Sequence, residues 1–330
     1  MAEKQQRETI LVNGYVYPSV DPETLRAWLP DLTFVSTFSY GFTPDGQLID
    51  LMDESIISTA QSAGVQSLMV LAPLDSQGVF NNNLAKTLLE NPQAQERLID
   101  NILSNIRTKG MFGVDFDFEF VLPENRDQYT ALVRTARERL NAAGYLVTVA
   151  LAPKTSSDQP GLLYEGHDYR GMGLAANFIL TMTYEWGYTY GPPMAVAPLN
   201  QVRRVLDYAV SEVPPDQLLM GIPNYGYDWT LPFIQGESRA EKISNDEAAA
   251  RAQRYGAEIF FDEQAQSPYY YYTDENGADH VVWFEDARSM RAKLALVSEY
   301  GLAGVSYWNI MDFFGEGAAV LREMYQVAKV

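Results

Sequence analysis

Four times in this chain a helix-like amphipathic stretch closes in a glycine and an apolar run follows at once, at Gly64, Gly110, Gly144 and Gly301. A helix that stops in the left-handed region favours glycine there, and a short apolar run straight after such a stop reads as a buried strand. The full rhythm places strands at 10–17, 32–40, 65–72, 111–120, 145–152, 176–184, 217–225 and 302–309. Helices are expected at 22–29, 48–63, 81–90, 92–109, 124–143, 198–212, 286–300 and 316–328, the first with Asp21 as cap and Pro22 at its first position. Strands alternating with helices call for a parallel sheet, and eight such units suggest a closed (β/α)8 TIM barrel. A doubly wound open sheet is the alternative.

One segment breaks the rhythm. Roughly sixty residues separate the seventh strand from the helix at Asp286, too many for a plain connection. They hold a helical piece at 245–255 and a short apolar stretch at 257–261. Two aromatic runs, 269–273 and 280–284, flank the turn Asp274-Glu275-Asn276-Gly277, a hairpin pattern. Residues 227–285 are therefore expected to form a small α+β insertion on the upper rim of a barrel made from 1–226 and 286–330.

The chemistry concentrates in Gly113-Val114-Asp115-Phe116-Asp117-Phe118-Glu119-Phe120. Alternation of apolar and acidic residues is a strand period, so Asp115, Asp117 and Glu119 share one face, about 6.5 Å apart. On an edge strand this would be a wet acidic face. As the fourth barrel strand it has no wet face, and three inward carboxylates are costly unless paired, hydrogen-bonded or protonated. Crowding and burial raise carboxyl pKa values, the usual arrangement for a general acid beside an ionised neighbour. Glu119, at the carboxyl end of its strand, falls where barrel enzymes keep catalytic groups. Other strand ends carry Tyr15, Met182, Tyr184, Glu185, Asn224, Tyr225 and Trp308. Aromatic rings beside carboxylic acids suit a sugar, which stacks its C–H faces and hydrogen-bonds its hydroxyls.

Composition narrows the field. With 24 basic against 43 acidic residues, neither a nucleic acid nor an anionic membrane is an expected partner. The absence of cysteine excludes disulfides and a thiol nucleophile, and two histidines, His167 and His280, leave little for a multi-histidine metal site or a Ser-His-Asp triad. The first ten residues carry no apolar core of a signal peptide, and no run is long enough to span a bilayer. Gly171-Met172-Gly173-Leu174-Ala175-Ala176 fits a dinucleotide fingerprint in letters alone, since it precedes a strand. The turn at Asp274 lacks the twelfth-position glutamate of a calcium loop.

Phe112-Gly113-Val114-Asp115-Phe116-Asp117-Phe118-Glu119 resembles the D-x-x-D-x-D-x-E signature of glycoside hydrolase family 18, the chitinase-like barrels. Met182-Thr183-Tyr184-Glu185 resembles that family's M-x-Y-D, and Gly221-Ile222-Pro223-Asn224-Tyr225-Gly226 its G-x-P-x-Y-G. Trp308 stands where the family has a strand-eight tryptophan, and Phe284-Glu285-Asp286-Ala287-Arg288-Ser289 is similar to the segment returning from the family's insertion. Within the family these motifs look most like the spore-cortex-lytic N-acetylglucosaminidases. Phe112 replaces the signature's first aspartate and Glu185 the aspartate after the tyrosine.

The resemblance implies substrate-assisted hydrolysis of an N-acetylated glycan, peptidoglycan or chitin-like, with no metal and no cofactor, by a monomer acting at a spore or cell wall. It implies Glu119 as general acid and base, Asp117 as the group orienting the substrate's acetamido N–H, and Asp115 as the relay beneath. Tyr184 would bind the acetamido group and Trp308 would stack under the sugar; Tyr15, Met182, Glu185, Asn224 and Tyr225 complete the expected site. Two other readings compete: a Mg²⁺-dependent barrel enzyme using the same three acids, and a non-catalytic sugar-binding protein. Retention of Glu119 speaks against the second.

Overall fold

The computed structural model describes residues 7–74 and 78–330. Eight parallel strands form the centre: β1 Glu8–Val16, β2 Phe34–Phe42, β3 Gln66–Leu71, β4 Gly113–Phe116, β5 Leu146–Leu151, β6 Phe178–Thr181, β7 Leu218–Pro223 and β8 Gly304–Trp308. Each pairs with the next, and β1 pairs with both β2 and β8, so the sheet closes into a (β/α)8 TIM barrel. The open-sheet alternative is thereby excluded. Around it run α1 Pro22–Trp28, α2 Glu54–Ser62, α3 Asn82–Leu89, α4 Pro92–Lys109, α5 Arg126–Ala142, α6 Tyr169–Ala175 and α7 Leu199–Glu212. After α8 Asn245–Arg254, which lies apart from the barrel, come α9 Ala287–Tyr300 and α10 Gly315–Met324.

Local signals set many of the ends. Asp21 accepts from the Thr24 amide ahead of α1, and Asn91 accepts from Ala94 with Pro92 opening α4. Asp286 and Ser289 form a reciprocal capping box on α9. Gly110 and Gly301 close α4 and α9 at φ 68° and 69°. Between strands and helices lies a continuous apolar shell, to which β4 contributes Val114 and Phe116. Inside the barrel a smaller cluster of Tyr15, Phe38, Val70, Leu180 and Leu219 fills the space below the mouth. Polar residues share that interior: Ser36 donates to Asn13, which donates to Ser306.

Three segments differ from the sequence expectation. The 48–63 stretch is a helix only from Glu54, because Leu48–Ile49 pairs antiparallel with Gly41–Phe42 of β2. The last helix ends at Met324, and Tyr325–Val327 becomes a strand beside Glu8–Ile10, where β1 extends beyond its barrel neighbours and offers an unpaired edge. The acidic strand is shorter than 111–120, with pairing ending at Phe116. Gly171–Ala175 lies within α6, ahead of β6 instead of between strand and helix, so no phosphate-binding turn forms.

A second sheet, antiparallel and five-stranded, interrupts the barrel after β7. Its order is Glu241–Ile243, Gly226–Thr230, Asp279–Trp283, Ser267–Thr273 and Phe260–Asp262, and α8 packs on it through Ala248 and Ala252. The hairpin at Asp274 is present: its carboxylate accepts from the amides of Asn276 and Ala278, leaving it committed to the turn. No helix among the described residues is long and apolar enough to cross a membrane.

Candidate active site

Asp115 is the lowest of the three acids and is fully buried. Its register partner on β5 is Thr148, whose hydroxyl donates to it at 2.6 Å. Tyr15, on β1 across the barrel, donates to its other oxygen, also at 2.6 Å. Burial still outweighs these two donors and pushes its pKa up to about 6.

Beyond Phe116 the chain leaves the strand ladder, although the Asp117 amide still reaches the Leu71 carbonyl at 2.9 Å. Alternation nevertheless persists, because Phe118 remains packed outward between Phe42 and Tyr129. Asp117 and Glu119 therefore keep facing the mouth. Asp117 is buried, with one carboxyl oxygen lacking any partner. Burial first, then the charges of Glu119 and Asp115, hold its pKa well above the usual carboxylate range. Glu119 is pushed up to about 7, by burial and then by Glu185. Among the described residues no lysine or arginine figures among the causes acting on any of the three. A carboxyl pKa raised toward neutrality, as at Glu119, is what a general acid requires.

Asp117 and Glu119 open into a cavity of about 300 Å³, at the lower end of the usual range for small-molecule sites. Tyr15, Met182, Tyr184, Glu185 and Trp308 line it with them. Trp308 is wedged edge-on among Tyr15, Tyr17 and Phe38 at centroid distances of 5.4, 6.0 and 5.2 Å. Tyr184 is kept protonated by burial and by the surrounding acids, Asp117 foremost, so its hydroxyl is available as a donor. Gly221 on β7 makes room for that ring: a Cβ there would stand 2.7 Å from it and 2.4 Å from the Thr181 carbonyl.

Asn224 and Tyr225 lie near this cavity but do not line it. Asn224 spends its amide on the carbonyls of Asn309 and Asp312, holding the loop after β8. Tyr225 donates to Glu185, as does Tyr227 at 3.1 Å. Both tyrosines thus reach the cavity through a carboxylate, which sits in the left-handed region at φ 67°. Ala150, Pro153, Leu163, Tyr164 and Trp186 are the remaining lining residues. Leu163 and Tyr164 come from the long loop between β5 and α6, which has neither periodicity nor motif, so no signal in the sequence marked them. His167, at the end of that loop, is wholly buried.

Among the described residues no group of metal-ligating side chains is clustered in a way that could hold an ion. Three inward acids from one strand end, beneath an aromatic mouth and without a compensating cation among the described residues, form a proton-rich cavity sized for a small neutral ligand.

Comparison with known proteins places this geometry. The family model described as glycosyl hydrolases family 18 matches residues 80–312. The cortical fragment-lytic enzyme of Bacillus cereus is 39% identical over 322 residues, spanning 96% of this chain and 75% of its own. The crystal structure of the Bacillus cereus spore cortex-lytic enzyme SleL superposes with a TM-score of 0.94 at 37% identity, over 98% of this chain and 76% of that one. A chitinase from Chromobacterium violaceum superposes at 0.88 with 25% identity, covering 96% and 99% of the two chains. Barrel, acid file and sequence agree, and the chain belongs to glycosyl hydrolases family 18, as a glycosidase similar to the spore cortex-lytic enzymes.

Proposed function

We propose that this glycosidase cleaves β-1,4 linkages after N-acetylglucosamine in peptidoglycan, with retention, using the substrate's 2-acetamido group as nucleophile. The observation that carries the reading is the Glu119 carboxyl at the cavity wall, its pKa raised to about 7, with Asp117 buried beside it and no cation near either among the described residues. Glu119 gives its proton to the glycosidic oxygen as the C1–O bond breaks. The acetamido carbonyl oxygen bonds to C1, forming an oxazolinium ion, while Asp117 holds the acetamido N–H. Glu119, now a carboxylate, takes a proton from water, whose oxygen attacks C1 and reopens the ring from the face the leaving group had occupied. Tyr184 donates to the acetamido group and Trp308 forms the floor under the sugar. Asp115, tied by Tyr15 and Thr148, holds charge beneath Asp117.

The similarity to cortical fragment-lytic enzymes favours spore-cortex peptidoglycan as substrate and the spore as the site of action. Residues 227–285 border the groove through Tyr227, which donates to the cavity-lining Glu185, and the working unit is the monomer. A second reading, hydrolysis of chitin oligomers by the same groups, is supported by the similarity to a chitinase. Product analysis separates them. Cortex fragments should yield new reducing ends at N-acetylglucosamine with the β-configuration first formed, at a rate unchanged by EDTA. Faster cleavage of chitin oligomers would favour the second reading, and loss of activity in EDTA would sink both.

A further inference from the structure

The peptide that carries Glu119 lies beyond the end of β4, so strand pairing cannot hold it. Something else must, because a general acid misdirected by about 1 Å can cost on the order of 10²-fold in rate. The backbone groups of Phe118 are met by side chains instead. Its amide faces the Tyr129 hydroxyl at 3.4 Å, a long contact, and its carbonyl lies 2.8 Å from His167 Nε2. The other ring nitrogen, Nδ1, accepts from the Ala152 amide at 2.9 Å. An acceptor at Nδ1 leaves the proton on Nε2, so His167 donates to the Phe118 carbonyl. Burial keeps the ring neutral, with its pKa pushed down to about 4.

His167 ends the same loop whose Pro153, Leu163 and Tyr164 line the cavity. That loop is braced internally. Lys154, almost fully buried, donates to the carbonyls of Ser157 at 3.0 Å and of His167 itself at 2.9 Å. It also abuts the chain just past the acid: a Cβ on Gly166 would stand 2.2 Å from the Val121 carbonyl. One imidazole therefore joins the end of β5, the cavity-wall loop and the residue before Glu119.

We propose that His167 is a positioning residue, which directs the Glu119 carboxyl by donating from Nε2 to the Phe118 carbonyl and so locks the acid-bearing peptide to the cavity wall. The proposal rests on the reading of Glu119 as the acid. It makes no contact with substrate itself, so its loss changes the chemical step and leaves binding in place.

Two variants divide the two ends of the ring. In His167→Gln the amide nitrogen can stand where Nε2 stood and still donate to Phe118. In His167→Asn the amide oxygen replaces Nδ1, keeping the Ala152 contact while the Phe118 carbonyl loses its donor. Assayed on cortex fragments below both melting midpoints, His167→Asn should lose about 10–100-fold in kcat with KM within twofold, and His167→Gln should stay within about fivefold of the parent. Equal kcat in the two variants, a change confined to KM, or collapse of both folds alike would overturn the proposal. Turnover by Glu119→Gln, expected to fall about 10²–10⁴-fold, tests the reading of Glu119 separately. Should the parent be inert, the Glu119 carboxyl titration followed by NMR still decides, since it must move in His167→Asn and hold in His167→Gln.

Discussion

Two buried aspartates in this molecule live under opposite rules. Asp228, in the insertion's sheet, is met by Arg251, by Tyr272 at 2.5 Å and by His280 Nδ1 at 2.8 Å. Asp117, in the barrel mouth, is equally buried and has two acidic neighbours, with one oxygen lacking a partner and no cation beside it among the described residues. The first arrangement satisfies a charge and holds strands together. The second leaves a carboxyl oxygen unsatisfied and its pKa raised, an arrangement that costs stability and clusters at functional sites. A third acid, Asp53, follows the rule of Asp228: Thr37, Tyr40 and Lys109 all donate to it. Burial alone therefore does not separate these acids; Asp117 differs from Asp228 and Asp53 in having an unpartnered oxygen among other acids.

The contrast can be broken most directly at Glu119. Glu119→Gln should lower kcat on cortex fragments by about 10²–10⁴-fold with substrate binding retained, and near-normal release of reducing sugar would defeat the acid assignment. The pH profile sharpens the same point. Glu119 must be protonated to act, and its pKa is raised to about 7, so kcat/KM should fall roughly tenfold per pH unit above that value. A profile flat to pH 9 would contradict it.

The paired acid should behave in the reverse way. Asp228→Asn leaves Arg251 and His280 facing an amide and should cost about 2 kcal/mol in denaturant unfolding, with kcat held. A large fall in kcat with stability unchanged would erase the distinction between the two regions.

A comparable effect is expected in stability against pH. Glu119 has an ordinary pKa of 4.5 and a folded value near 7, so the folded state binds more protons between them. Its contribution is fully present below pH 4.5 and is lost as pH rises through 7. Glu119→Gln should thus be more stable than the parent at pH 8, by about 1–3 kcal/mol, with the gap closing toward pH 4. A variant equally stable across that range would show that Glu119 is not desolvated.

The strand–helix order, the four glycine stops, the hairpin at Asp274 and the acid file were all legible in the chain, because each is written in local periodicity or in one residue's backbone preference. Where the reading went too far, a neighbour distant in sequence intervened. The edge of β1 turned Tyr325–Val327 from helix into strand. Asn224 and Tyr225 read as mouth residues, yet they hold a loop and a carboxylate, because only the folded rim decides which strand-end side chains reach open space.

What the sequence determined by itself is that Asp115, Asp117 and Glu119 face one way, since a period of two survives even where pairing stops at Phe116. Whether that face is wet or enclosed was decided only by closure of the barrel. Closure brought Tyr15 and Trp308 from the far ends of the chain over the acids and placed His167 behind them. Side-chain direction is a property of a few neighbouring residues. Desolvation, which raises those carboxyl pKa values, depends on every segment packed around them.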